Sequence, residues 1–282
     1  MSRTADANDD PGTAPSVPPI GDYRRSYSYD HRVHDRSISV ISAGFDDESG
    51  LDTGLSHALL DSVSDGELPE TFRVYVPSRV VAFGKHDRLA AGFDRAVQIV
   101  RNHGYAPVVR LPGGRAAVFH EQTVALSWTI PTPDPVRGIR NRFEAATTVV
   151  KRALSRLGVA SDVGEIPGEY CPGEFSVHHA NRIKLAGLGQ RLGRSAAHVG
   201  GVLVVGGSDA VRDILVPTYK ALGIEWNPET VGAVQDIATG ITVEAVVESI
   251  LETVAETASL YEAPIDDRTL ARARERAPLH VP

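Results

Sequence analysis

Only one cysteine, Cys171, occurs in the 282 residues, so no disulfide framework can form within the chain and a reducing, cytoplasmic setting is expected. Long apolar runs are missing as well. No stretch approaches the length needed to cross a bilayer, and no membrane partner is expected. The opening Met1-Ser2-Arg3-Thr4-Ala5-Asp6 lacks an apolar core, which argues against a secretory leader. There is no surplus of basic charge. The net charge of −7 disfavours non-specific association with nucleic acid. Walker and dinucleotide-fingerprint spacings are absent, and no internal repeat is visible. His120, His178, His179 and His198 lack zinc-site spacing with cysteines, so no metal is expected. Lys85-His86-Asp87-Arg88 is read as a solvated turn.

What is present, at 42% hydrophobic residues, has the composition of a folded globular protein. Residues 1–36 are expected to form a disordered tail and a loosely attached lead-in, because Asp, Pro, Ser and Thr dominate the start and cannot bury enough surface. Residues 37–262 are expected to form one domain, and 263–282 a charged, partly helical C-terminal tail. Helical spacing marks 54–63, 93–104, 143–157 and 243–255, the third stopping near Gly158. Strands are expected at 72–76, 80–83, 108–111, 124–130, 182–191 and 199–205. Val124, Leu126, Trp128 and Ile130 alternate with Ala125, Ser127 and Thr129, the pattern of a half-buried strand. Irregular interleaving with short turns predicts an α+β fold, a mixed β-sheet with packed helices.

Two constellations carry chemistry. In the first, Arg110-Leu111-Pro112-Gly113-Gly114-Arg115-Ala116, closing on His120, follows a strand. Paired glycines let backbone N–H groups approach a carbonyl oxygen or phosphate, with Arg110 and Arg115 adding positive charge. A tight turn with surface arginines is the plainer possibility. In the second, Cys171 lies in Gly168-Glu169-Tyr170-Cys171-Pro172-Gly173-Glu174-Phe175, and Lys184 follows in Lys184-Leu185-Ala186-Gly187-Leu188-Gly189-Gln190. A lone cysteine is often a small buried hydrophobe. A turn flanked by Gly and Pro instead tends to expose the thiol, and a nearby lysine can lower its pKa or shuttle its proton. Gly187 and Gly189 fall on one side of a strand, where a substrate chain could lie.

Taken in order, these segments resemble the lipoate–protein ligase and octanoyltransferase family, which shares a fold with biotin–protein ligases. The resemblance runs from about Leu51 to Val205. Ser78 to Gly84 looks like the family's early strand, Arg110 to His120 like its Arg-x-x-Gly-Gly loop, and Lys184 to Gln190 like its lysine segment. It implies a biotin/lipoate ligase-like catalytic domain with Cys171 and Lys184 as catalytic residues. It also implies substrate contacts from Arg110, Gly113, Gly114, Arg115, Ala116, His120, Ala186, Gly187, Gly189 and Gln190. Pro112 stands where many members have Ser or Thr. The cysteine points to the branch that moves octanoyl or lipoyl groups through an acyl-thioester enzyme, with no cofactor. The partners implied are lipoyl-domain proteins, namely the glycine-cleavage H protein and 2-oxoacid dehydrogenase E2 subunits, with acyl carrier protein as another donor. The alternative is an ATP-dependent lipoate–protein ligase using ATP and Mg. A non-catalytic acyl-binding scaffold is a further one.

Overall fold

Alternating apolar residues at Ile38, Val40, Phe72, Val74, Val124, Leu126 and Trp128 build the centre of the molecule, each less than 5% exposed. The computed structural model describes residues 35–45 and 50–282. Its strands are β1 (Ser37–Ile41), β2 (Thr71–Tyr75), β3 (Val80–Phe83), β4 (Ala106–Val109), β5 (Ala117–Phe119) and β6 (Thr123–Pro131). They continue with β7 (Asp162–Val163), β8 (Val177–His179), β9 (Ile183–Leu192), β10 (Ala196–Val204) and β11 (Ser259–Glu262). The helices are α1 (Leu51–Ser64), α2 (Phe93–Asn102), α3 (Ile139–Arg156), α4 (Ser208–Leu222), α5 (Val243–Ala255) and α6 (Asp267–Arg276).

Eight strands form a mixed sheet in the order β11-β1-β2-β6-β10-β9-β8-β7, and β4-β3-β5 form a smaller one. β1 runs parallel to both neighbours, whereas β2, β6, β10 and β9 are antiparallel. α3 and α5 cover one face of the large sheet with Val150, Leu154, Val246, Ile250 and Val254. Its other face meets α1 and the small sheet. α2 and α4 pack on the small sheet through Val97, Val100, Val211, Ile214 and Leu215. The fold is α+β, a mixed sheet with packed helices.

Three expectations are corrected. β6 is buried on both faces, Ala125, Ser127 and Thr129 included, because α1 and the small sheet cover the side expected to meet solvent. Residues 263–282 are no tail. α6 docks on α1 with Ala273 fully buried, and His280 donates to or accepts from His57 Nδ1 (3.1 Å) and contacts the Val109 carbonyl (2.8 Å). Helix α4 has no counterpart among the expected helices: Pro217 lies inside it and breaks the pattern that would announce it. The expected N-terminal tail lies, up to residue 34, outside the described residues.

Candidate active site

Cys171 occupies the connection between β7 and β8 and adopts φ 43°, a left-handed conformation that a side chain rarely takes. Such strain persists only where surrounding contacts hold it, and here every polar atom of the residue is engaged. Its backbone N–H donates to Tyr219 Oη (3.0 Å), which in turn donates to the Ala116 carbonyl (2.9 Å). Its carbonyl accepts from Lys184 Nζ (2.7 Å). Its Sγ accepts from the Arg110 guanidinium (3.0 Å) and from the Arg115 backbone N–H (3.2 Å).

The glycines of the Arg110 loop make that approach possible. Gly114 has φ 103°, and a Cβ there would stand 2.1 Å from Arg110 Nη2 and 2.8 Å from Cys171 Sγ. A Cβ on Gly84 would stand 1.6 Å from the Gly114 carbonyl. Neither position has room for a side chain, which only glycine permits. Asp87 fixes this corner: wholly buried, it accepts from Gly84 N–H (2.8 Å) and Arg115 Nη1 (3.1 Å). The solvated turn expected at Lys85–Arg88 is therefore anchored inward, because Asp87 caps the loop rather than meeting water.

Burial alone would raise the Cys171 thiol. The positive charges of Arg110 and Lys184, together with the Arg115 and Arg110 hydrogen bonds, outweigh it and hold the thiol below its ordinary value. Lys184, 1% exposed, is pushed below the usual lysine range by burial, against the opposing pull of Cys171 and Glu169. Its Nζ also reaches the Tyr170 carbonyl (3.0 Å) and Glu169 Oε2 (3.3 Å). The arrangement is a thiolate in a cationic, backbone-lined socket, the chemistry of a nucleophile.

The sulfur borders a cleft of about 390 Å³ whose walls include Gly113, Gly114, Phe143, Gly187, Gly189 and Val202. Arg110, Lys184 and Gln190 also line it. Register pairs Gly189 with Gly200 and Gly200 with Ser127, so these three share one sheet face. On that face a second lobe, lined by Tyr75, Ala82, Phe119, Ser127, His198 and Gly200, meets the first at Arg110. Pro112 lies over Gly189, where an added Cβ would approach its ring to 3.0 Å.

Not every expected residue converges. The Arg115 side chain turns to Asp87, and only its backbone N–H serves the sulfur. Ala116 and Ala186 are buried, and Ala116 acts through its backbone carbonyl. His120 does not reach the cleft. Its Nδ1 accepts from the Gln122 N–H (3.1 Å), and its ring packs at Gly207 ahead of α4. Gln190 has both ends of its amide occupied, by Arg142 Nε (2.9 Å) and the Ile139 carbonyl (3.2 Å), bracing α3 on β9. His178 accepts from Asn181 N–H (3.2 Å), His179 Nδ1 lies 2.7 Å from the Ala160 carbonyl, and His198 bonds Thr129 (2.8 Å). Sequence reasoning missed Tyr219, which sits on the unexpected α4, and Glu169, which stands two residues before the cysteine in plain view.

The family model described as "Lipoyl protein ligase A/B catalytic domain" matches residues 52–255. The chain belongs to that family. Among similar proteins are the octanoyl-[GcvH]:protein N-octanoyltransferases of Geobacillus kaustophilus and Bacillus velezensis. The first is 31% identical over 60% of this chain and 59% of its own length, the second 30% over 65% and 64%. This chain thus spans somewhat under two thirds of the length of these relatives. A crystal structure of lipoate-protein ligase A bound with ATP superimposes with a TM-score of 0.70 at 17% identity, covering 86% of this chain and 94% of the other. A bi-partite lipoate protein ligase from Thermoplasma acidophilum, studied with its E2 lipoyl domain, gives 0.65 at 17% identity, covering 86% and 92%. The fold is that of lipoate–protein ligases.

Proposed function

We propose that this chain is a cysteine-dependent acyltransferase of protein lipoylation. It moves an octanoyl (or lipoyl) group from the lysine amide of a carrier, the glycine-cleavage H protein, to the target lysine of other lipoyl domains such as 2-oxoacid dehydrogenase E2 subunits. The observation that carries this reading is the Cys171 sulfur held by Arg110 and the Arg115 N–H at the mouth of a partly apolar cleft. The names of the similar curated proteins support the octanoyl group and the H-protein donor over acyl carrier protein. No nucleotide is consumed, because acyl transfer from amide to amide needs no activation.

The thiolate attacks the donor carbonyl and forms a C–S bond. The C–N bond then breaks, and the leaving amine takes a proton from the Lys184 ammonium. In the second half the acceptor amine attacks the thioester, its proton returns to Lys184, and the C–S electron pair goes back to sulfur beside Arg110. Protons and charge balance over the cycle. An eight-carbon chain burying seven methylene or methyl groups would gain about 5–6 kcal/mol at roughly 0.8 kcal/mol each.

The test is transfer of octanoyl from loaded H protein to an E2 lipoyl domain without nucleotide. Cys171→Ala and Cys171→Ser are expected to abolish it. An active Cys171→Ala protein that requires ATP would establish the ligase reading instead.

A further inference from the structure

Glu169 is fully buried, yet none of its contacts is a surface ion pair. Oε1 accepts from the Gly173 N–H (3.0 Å) and the Ser176 hydroxyl (2.8 Å), on the far limb of the cysteine turn. Oε2 faces only Lys184 Nζ, at 3.3 Å. Burying a carboxylate is costly unless it is paired, and removing one member of a buried pair leaves the other charge stranded. An ammonium has three hydrogens, and Lys184 has three protein acceptors: the carbonyls of Tyr170 and Cys171 and the Glu169 carboxylate. With all three filled, the amine carries no lone pair in this arrangement and cannot serve as a base. It is arranged as an acid.

We propose that Glu169 is a positioning residue for acylation: its carboxylate keeps Lys184 protonated in a buried site, so that an amide donor's leaving nitrogen receives a proton as the C–N bond breaks. The inference rests on the acyl-transfer reading and deepens it by assigning the site to amide donors. A thioester or aryl ester needs no such acid, since its leaving group departs as a stable anion. An amide nitrogen cannot leave without one. During the step one Nζ–H bond to the loop is exchanged for the leaving amine, Glu169 remains a carboxylate, and Lys184 is left neutral. It regains its proton from the acceptor amine in the second half.

The distinguishing experiment compares two donors on the full chain, each followed by the appearance of acylated Cys171. One is octanoyl-loaded H protein; the other is nitrophenyl octanoate, whose leaving group needs no proton. In Glu169→Gln, acylation by the amide donor should fall about a hundredfold or more, the usual worth of a general acid, while the ester rate stays within about threefold of wild type. Equal losses with both donors would mean that Glu169 only holds the loop in shape, and no loss with either would remove it from the reaction; each overturns the proposal. Should Glu169→Gln not fold, Glu169→Asp carries the same comparison. Its carboxylate is withdrawn by one methylene, so the amide rate should drop selectively, and a parallel drop contradicts the assignment. Failure of the wild-type protein to be acylated by either donor would instead strike the transferase reading itself.

Discussion

Arg110 does more at this site than its place in a glycine loop suggests. The expected role is a substrate contact, and its guanidinium instead rests on the nucleophile, where it is the largest influence lowering the thiol. Because the thiol lies below its ordinary value, Cys171 should react with iodoacetamide faster than a free cysteine at neutral pH, and its rate should level off at lower pH. Arg110→Ala removes the main lowering charge and leaves burial unopposed by it. The midpoint of the rate–pH curve should move upward, with about a tenfold loss of thiolate at neutral pH for every pH unit that it moves. Coincident curves for the two proteins would show that the guanidinium does not set the thiolate. Cys171 and Lys184 were readable because their residue types announce nucleophilic chemistry. That they meet through a backbone carbonyl, with Tyr219 holding the other end of the residue, was not, since nothing local to 171 or 184 encodes a partner on α4.

Among the elements, the strands and long amphipathic helices could be read from periodicity, and the failures have separate causes. Helix α4 contains Pro217, and β5, β7 and β8 are two or three residues long, too short to display alternation. α6 reads as surface because Arg and Glu dominate it, yet it presents Ala273 to α1 across Gly54. A Cβ at Gly54 would stand 2.5 Å from the Ala273 carbonyl, so the two helices touch backbone to backbone. Gly54→Val should force them apart and cost about 1–3 kcal/mol, the usual effect of overpacking. Urea denaturation reads this directly. A variant as stable as wild type would mean that α6 is not seated where this contact places it.

Over the whole molecule, one face of the large sheet and the edge of the small one enclose the reacting sulfur. The loop after β4 brings Arg110 and Gly114, the β7–β8 connection brings Cys171 and Glu169, β9 brings Lys184, and α4 brings Tyr219. Motif order along the chain was enough to expect this family and its fold. The convergence of side chains from four separate segments was not legible there, because it depends on tertiary pairing. Among the described residues no helix is long and apolar enough to cross a membrane. The account stands on Cys171 becoming a thioester. Intact-protein mass spectrometry after mixing the chain with octanoyl-loaded H protein, without nucleotide, should reveal one octanoyl adduct that hydroxylamine removes and that Cys171→Ser never forms as a hydroxylamine-labile thioester. Wild-type protein that transfers octanoyl while its mass never changes, or that is labelled equally after Cys171→Ala, would contradict it.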